Sequence, residues 1–115
     1  MPFTEHIQPV VHTFDGDREF LPVELVSGAL EVATNSSPTT VKTLPHSTTL
    51  VVSDLVRYNE TLELILWNQG AEDFTLAPNS EGNTHFVGAS VVPAGGFRLI
   101  KIVVGYPGGL GVFVL

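Results

Sequence analysis

The stretch Thr61–Trp67, TLELILW, decides the fold class of this chain. In an extended strand, successive side chains point to opposite faces, so the leucines at positions 62, 64 and 66 share one face. Ile65 and Trp67 make the opposite face apolar as well. Because both faces are apolar towards the end of the stretch, it predicts a strand in the middle of a sheet.

A second long strand is predicted at Phe97–Val104, FRLIKIVV, after the turn signal Pro93-Ala94-Gly95-Gly96. No run of apolar residues combines helical spacing with caps. Shorter strand candidates bounded by turn residues are 23–26, 29–32, 39–44, 48–52, 74–76, 84–87, 90–92 and 111–115. The pattern predicts an all-β, single-domain β-sandwich or jelly-roll-like barrel of about seven to nine short strands.

The N-terminal segment differs from the rest of the chain. Residues 1–22 carry Pro2, Pro9 and Pro22 and show little periodicity. Proline cannot donate a hydrogen bond to a strand ladder, so an extended N-terminal arm is predicted over residues 1–22. The β domain is then predicted over residues 23–115.

Composition restricts the partners. The chain has 115 residues, 5 Lys plus Arg, 12 Asp plus Glu and a net charge of -7, which disfavours binding to nucleic acid. No apolar stretch is long enough for a membrane-spanning helix. Only 15% of residues are charged, against about a quarter in typical soluble domains, so part of the surface is expected to meet another chain. A neutral surface rich in Thr, Ser and Asn is the alternative.

Motifs for catalysis are absent from the sequence. It has no G-x-S-x-G, no phosphate-binding loop and no cysteine, and His6, His12, His46 and His85 lack metal-ligand spacing on a helix. We therefore expect no enzyme activity, no cofactor and no catalytic or metal-binding residue. The acidic stretch Asp15–Glu19 is interpreted as a solvated turn, with a weak calcium site as the alternative.

Residues 43–115 carry a series of strand and turn motifs in a fixed order. The motifs are Thr43-Leu44-Pro45, Leu62 to Asn68, Phe74-Thr75-Leu76, Gly82-Asn83-Thr84, Val87-Gly88, Val92-Pro93-Ala94-Gly95 and Phe97 to Lys101. In this order they resemble the small β-rich decoration (cement) and head-fibre proteins on the capsids of tailed bacteriophages. The glycine-rich segment 105–111 and residues 1–42 depart from the resemblance.

The resemblance implies a non-enzymatic virion protein on the capsid surface, made in the host cytoplasm. Such proteins are commonly homotrimers that bind the major capsid protein at threefold positions and stabilise the shell. The predicted arm is expected to contact the capsid or a neighbouring subunit. The interface residues predicted there are Pro2, Phe3, Ile7, Pro9, Val10, Val11 and Phe14. Deletion of residues 2–20 is expected to abolish capsid binding and to spare the β fold.

Two other functions stay open from the sequence. A carbohydrate-binding module would use Trp67 and Tyr58 as a stacking platform for a glycan, with Asn68, Gln69 and Asn83 as hydrogen-bonding groups. Trp67 can equally lie in the core or at a subunit interface. The second alternative is a tail or fibre assembly subunit, which would share the fold class and the expectation of a trimer.

Overall fold

Within residues 9–79, 84–105 and 109–115, which the computed structural model describes, the chain forms ten strands and two short helices. Strands account for 43% of these residues and helices for 10%, so the fold is strand-rich, as predicted. The elements are β1 (Val10–His12), β2 (Arg18–Glu19), α1 (Pro22–Leu25), β3 (Ala29–Val32), β4 (Val41–Thr43), α2 (Ser47–Val52), β5 (Thr61–Asn68), β6 (Phe74–Ala77), β7 (Thr84–Val87), β8 (Val91–Val92), β9 (Phe97–Val104) and β10 (Leu110–Val114).

The strands form two sheets, and the chain passes between them at almost every step. The larger sheet has the order β1-β3-β5-β9-β10-β7, and the smaller has the order β2-β4-β6-β8. From β1 to β9, odd-numbered strands lie in the larger sheet and even-numbered strands in the smaller one. This alternation makes β1, β3 and β5 parallel neighbours, as it does β2, β4 and β6.

The centre of the larger sheet is the antiparallel pair β5 and β9, the two strands that the sequence predicts most strongly. They pair from Thr61 opposite Val103 to Trp67 opposite Phe97, and β3 lies on the other side of β5. The prediction that Thr61–Trp67 forms a central strand is therefore confirmed. β10 continues the sheet as the antiparallel neighbour of β9.

Both sheets contribute to one hydrophobic core. Leu64 and Leu66 of β5 point into it, as do Phe74 and Leu76 of the smaller sheet. The other buried apolar members are Phe20, Leu25, Leu30, Val32, Leu44, Leu50, Val56, Val92, Ile100, Ile102, Val104, Leu110, Val112 and Val114. The radius of gyration of 13.7 Å is close to the ~13 Å of a compact domain of this length.

Two of the predicted strands are helices. Residues 23–26 were predicted as extended, but Pro22–Leu25 forms α1. Pro22 occupies the first helical position, where its missing N–H costs nothing, and the carboxylate of Glu24 accepts the backbone N–H of Leu21 at 2.7 Å. The position of Pro22 and the hydrogen bond of Glu24 together outweigh the strand preference of Val23 and its neighbours.

Residues 48–52 were also predicted as a strand because they are apolar and β-branched, but Ser47–Val52 forms α2. His46 caps this helix, since its ring nitrogen accepts the backbone N–H of Thr48 at 3.0 Å. Leu50 is fully buried and anchors α2 to the core. Tertiary burial therefore overrides the low helix propensity of threonine and valine.

The segment predicted as an arm is partly built into the sheets. Residues 1–8 lie outside the described residues, but β1 pairs with β3, β2 pairs with β4, and Phe20 is fully buried. Deletion of residues 2–20 would remove two strands and a core side chain, so the expectation that it spares the fold is wrong on this packing. The division of the chain at residue 22 stays a prediction.

The number of strands and the type of closure also differ from the sequence prediction. β1 and β2, within the predicted arm, raise the strand number of the described residues to ten. Over these residues neither sheet closes on itself, so the jelly-roll-like barrel finds no support. Gly82 and Asn83 of the motif Gly82-Asn83-Thr84, and residues 106–108 of the glycine-rich segment 105–111, lie outside the described residues.

Candidate interaction surface

The outer side of the larger sheet carries a group of exposed apolar side chains. Side chains of β5 and β9 alternate between the core and solvent. On the solvent side, Ile65 is 43% exposed, Trp67 38%, Phe97 58% and Leu99 43%. We define the apolar face as these four residues together with Leu115 beside β10, which is also exposed.

The register of the strands makes the apolar face contiguous. Ile65 lies directly opposite Leu99, and Trp67 lies directly opposite Phe97, across β5 and β9. The backbone N–H of Leu115 bonds to the carbonyl of Leu99, which places Leu115 beside the Ile65–Leu99 pair. Cross-strand neighbours are about 5 Å apart, so these side chains form one patch rather than isolated exposed residues.

A pair of opposite charges lies at one end of the apolar face. Glu63 and Lys101 are cross-strand partners, and their charged atoms are 3.5 Å apart. Both side chains are largely exposed, so the pair contributes little to stability. Its effect is to leave this end of the face without net charge, whereas Glu31, the cross-strand neighbour of Trp67, places a carboxylate at the side next to β3.

A depression of about 200 Å³ lies within this surface. Its lining includes Gly28, Ile65, Leu99, Lys101 and Leu115. A Cβ atom added at Gly28 would meet no atom within 4 Å, so this glycine borders open space. A side chain from another protein could enter the depression and contact apolar groups there.

The interface residues predicted from the sequence have different environments. Pro2, Phe3 and Ile7 lie outside the described residues. Pro9 is exposed and Val10 is half-buried against the core. Val11 is 48% exposed and Phe14 46% exposed.

Of these residues, Val11 lies on the same side of the larger sheet as the apolar face but outside it. It pairs with Glu31, and Glu31 pairs with Trp67, so a carboxylate separates Val11 from Trp67 in their register row. Phe14 lies in the loop after β1, where the guanidinium carbon of Arg18 is 4.6 Å from its ring centroid.

The sequence pattern contained the signal for the apolar face but did not identify it as an interface. Alternation places Ile65 with Trp67, and Phe97 with Leu99, on common sides of their strands. Only the arrangement of the two sheets shows that these sides face solvent. Trp67 therefore lies on the exposed surface and not in the core.

A separate group of buried polar residues lies behind the loop between β1 and β2. Lys42 of β4 is fully buried, and His12 of β1 and Glu24 of α1 are 5% and 6% exposed. Nδ1 of His12 is 2.7 Å from the Glu24 carboxylate, and Nζ of Lys42 is 3.1 Å from Nε2 of His12. We call these three residues the buried triad.

The hydrogen-bond chemistry assigns the protons of the buried triad. A Lys ammonium only donates, so Nε2 of His12 accepts; a carboxylate only accepts, so Nδ1 of His12 donates to Glu24. Lys42 also donates to the carbonyl oxygens of Phe14 at 2.9 Å and Gly16 at 2.5 Å. The ammonium thus ties the loop between β1 and β2 to the interior.

Burial shifts the ionisation of two members of the triad. It lowers the pKa of His12 below the usual 6.5, although the hydrogen bond and charge of Glu24 oppose the shift. It also lowers the pKa of Lys42, opposed by the charges of Asp15, Asp17 and Glu24. Both shifts follow from the cost of charge in a site that water barely reaches.

The acidic stretch considered as a calcium site has structural partners. The Asp15 carboxylate accepts the backbone N–H and the hydroxyl of Ser36, and Asp17 accepts the backbone N–H of Val41. Within the part of the chain that the structure describes, no three His, Asp or Glu side chains are grouped as metal ligands. Asp15 and Asp17 instead attach their loop to neighbouring segments.

The stacking platform proposed for a glycan is not assembled. Tyr58 precedes β5 and Trp67 lies near its other end, about 20 Å of strand away. Asn68 is fully buried, and its amide donates to the carbonyls of Glu72 and Val92. Trp67 is accessible on the apolar face, and Tyr58 is 54% exposed but lies before the other end of β5. Gln69 is exposed, and Asn83 lies outside the described residues.

Comparison with protein-family models, with curated proteins and with solved structures finds no match for this chain. Among the described residues, neither helix has the length and apolar character needed to cross a bilayer.

Proposed function

We propose that this chain is a non-enzymatic structural protein of a virion, which decorates and stabilises the capsid of a tailed phage as a homotrimer. Its partners are further copies of itself and the major capsid protein. The proposal places it on the capsid surface after synthesis in the host cytoplasm. At the level of fold, we infer a β-sandwich, since the inward side chains of both sheets belong to one core.

The apolar face is the observation that supports a role in assembly. Scattered exposed apolar residues are normal in soluble proteins, whereas a contiguous patch marks an interaction surface. Here two aromatic and several aliphatic side chains lie together on a sheet, and the charges of Glu63 and Lys101 at their border offset each other. Aromatic residues in the centre of a patch are typical of protein interfaces.

The capsid role rests on the resemblance of residues 43–115 to decoration proteins. A threefold assembly joins two different surfaces of neighbouring copies, so the apolar face would contact a non-identical surface of the next subunit. The predicted interface residues near the N-terminus, among which Val11 and Phe14 are exposed, are then assigned to the major capsid protein. Three copies bound together would strengthen weak individual contacts through avidity.

The assembly role is tested by the solution mass of the purified protein, measured by size-exclusion chromatography with light scattering. We expect three times the protomer mass of 12.3 kDa. Phe97→Lys, which puts a charge into the apolar face beside Trp67, should reduce the mass to that of one protomer. Val52→Lys is the matched control because Val52 is 74% exposed on α2, outside the face. A Phe97→Lys protein that keeps the wild-type oligomeric mass contradicts the assignment of the face.

The capsid role needs a separate experiment. Capsids of the phage that encodes the chain, prepared without it, should bind the purified protein, and electron microscopy should show added density at threefold positions. Density on the tail instead of the head would favour the alternative of a tail or fibre assembly subunit. Absence of binding to any part of the particle would refute a virion role.

A carbohydrate-binding role is the second candidate, and the observation that favours it is the exposure of Trp67 beside Phe97. Sugar rings stack on accessible aromatic side chains. A glycan array separates the two functions. A reproducible hit that Trp67→Ala abolishes would support the carbohydrate-binding module, and an array without hits would leave the assembly role as the only function supported by the apolar face.

A further inference from the structure

We propose that the buried triad is a pH-operated latch, which holds the loop of residues 13–17 closed when His12 is neutral and releases Phe14 when His12 gains a proton. This inference is independent of the proposed function. It rests on the geometry of Lys42, His12 and Glu24 and on the contacts that Lys42 makes with the loop.

In the closed state, one ammonium group holds the loop. Nζ of Lys42 donates to the carbonyl oxygens of Phe14 and Gly16 and to the ring of His12. Lys42 is fully buried, so these contacts replace the water that an ammonium otherwise binds. Nζ also lies 5.8 Å from the centroid of the Phe14 ring. The position of Phe14 therefore depends on the position of the Lys42 ammonium.

A proton on His12 is incompatible with this arrangement. The proton can only bind to Nε2, because Nδ1 already carries the proton that it donates to Glu24. A protonated Nε2 would face the Lys42 ammonium across 3.1 Å, donor against donor and cation against cation. In a buried site that repulsion is not screened by water, so the ammonium has to move away from the ring.

The charged groups around His12 determine where the ammonium goes. Glu24 on α1 stabilises the protonated ring, whereas Lys42 on β4 and Arg18 on β2 oppose it. Asp15 and Asp17 in the loop attract the Lys42 ammonium. Movement towards these carboxylates takes the ammonium out of the interior and breaks its bonds to His12 and to the carbonyl oxygen of Phe14, and the second of these breaks is what frees Phe14.

The latch opens only part of the loop. Asp15 keeps its bonds to Ser36, and Asp17 keeps its bond to Val41, because neither involves the triad. The hydrogen-bonding partners of Asp15 hold its pKa below the usual 3.8, so it stays ionised in mild acid. The released part is therefore confined to Phe14 and its neighbours, and closing is reversible.

The pH range of the latch follows from the environment of His12. Since burial lowers the pKa of this ring, opening takes place below pH 6.5. His12 has one pKa in the closed state and a higher pKa in the open state. Between these two values, the ratio of open to closed loop rises about tenfold for each unit by which the pH falls. At neutral pH the loop is closed and Phe14 is held next to Arg18.

Nuclear magnetic resonance on the full chain tests the latch directly. The histidine ring signals give the midpoint of His12, and the carbonyl ¹³C shifts of Phe14 and Gly16 report their bonds to Lys42. We expect both carbonyl shifts to change with the same midpoint as His12. Titration of His12 without any change at these carbonyls would overturn the proposal, as would unchanged carbonyl shifts over the whole range below pH 6.5.

Two variants identify the group that operates the latch. His12→Asn keeps a neutral donor and acceptor, so the carbonyl shifts should become independent of pH. His46→Asn is the matched control, because asparagine preserves the cap of α2 and leaves the triad intact. Persistence of the transition in His12→Asn would refute a role for His12. If that variant does not fold, the titration of the unmodified protein decides alone.

Discussion

Trp67 and Phe97 are directly opposite each other across the central strand pair, on the side of the larger sheet that faces solvent. Trp67 is the only tryptophan of the chain, so its fluorescence reports on this position alone. If the apolar face mediates assembly, dilution from micromolar to nanomolar concentration should expose the indole further. The sequence pattern placed these residues on strands, but their juxtaposition results from the register of β5 and β9.

The first prediction is therefore a shift of the Trp67 emission to longer wavelength on dilution. Phe97→Lys should give the spectrum of the dilute state at every concentration, because a charge in the patch prevents its burial in an interface. Val52→Lys should behave like the wild type. Emission that is independent of concentration over the range in which light scattering detects dissociation would exclude Trp67 from the interface.

The second prediction concerns the turn between β5 and β6, which depends on Asn68. This buried side chain donates to the carbonyls of Glu72 and Val92 and accepts the backbone N–H of Gly70. Asn68→Ala leaves these three groups without their partner, so we expect a loss of about 2–4 kcal/mol in the free energy of unfolding. Urea denaturation measures the loss.

Gln69→Ala is the matched control for that change, because the Gln69 side chain is exposed and its backbone bond to Val32 is retained. It should change the free energy of unfolding by less than about 0.5 kcal/mol. Equal effects of the two substitutions would mean that the hydrogen bonds of Asn68 do not stabilise the turn.

The sequence predicted the strands that are set by local alternation and turn signals. In Thr61–Trp67 and Phe97–Val104, the side chains alternate between two faces over seven and eight residues, and both segments are strands. The short segments 23–26 and 48–52 have no such length, and there a proline, a cap and the burial of Leu50 decide in favour of helices. Local propensity was too weak to compete with these interactions.

The buried triad could not be predicted from the sequence because its members are far apart along the chain. Lys42 lies 30 residues from His12, and His12 lies 12 residues from Glu24. In the short stretch Val41–Thr43, a lysine between β-branched residues is typical of an exposed strand position. Its burial depends on the alternation of the chain between two sheets, which brings β1, β4 and α1 together.

The third prediction concerns Gly88, which has a φ of +107° and lies close to the carbonyl oxygen of Val114. An added Cβ would be 2.1 Å from that oxygen, so alanine there combines backbone strain with a steric clash. Gly88→Ala should lower the free energy of unfolding by about 3 kcal/mol or more. Thermal or urea denaturation measures the effect.

Gly16→Ala separates the effect of backbone strain from the effect of the steric clash. Gly16 has a similar φ of +99°, but a Cβ there meets no atom within 4 Å. It should cost about 1–2 kcal/mol, the strain alone. If Gly88→Ala is no more destabilising than Gly16→Ala, the close contact between residue 88 and Val114 is not maintained in solution.

The last prediction is the dependence of stability on pH. The pKa of His12 is lower in the folded protein than the usual 6.5, so below pH 6.5 the unfolded chain takes up a proton that the folded chain resists. The free energy of unfolding should therefore fall as the pH decreases from 6.5 towards the folded pKa, by up to about 1.4 kcal/mol per pH unit. Above pH 6.5, His12 does not make the free energy of unfolding depend on pH. Urea denaturation between about pH 5 and pH 8 should show this slope in the wild type and in His46→Asn and a smaller one in His12→Asn. Equal slopes in all three proteins would show that His12 is not the residue responsible.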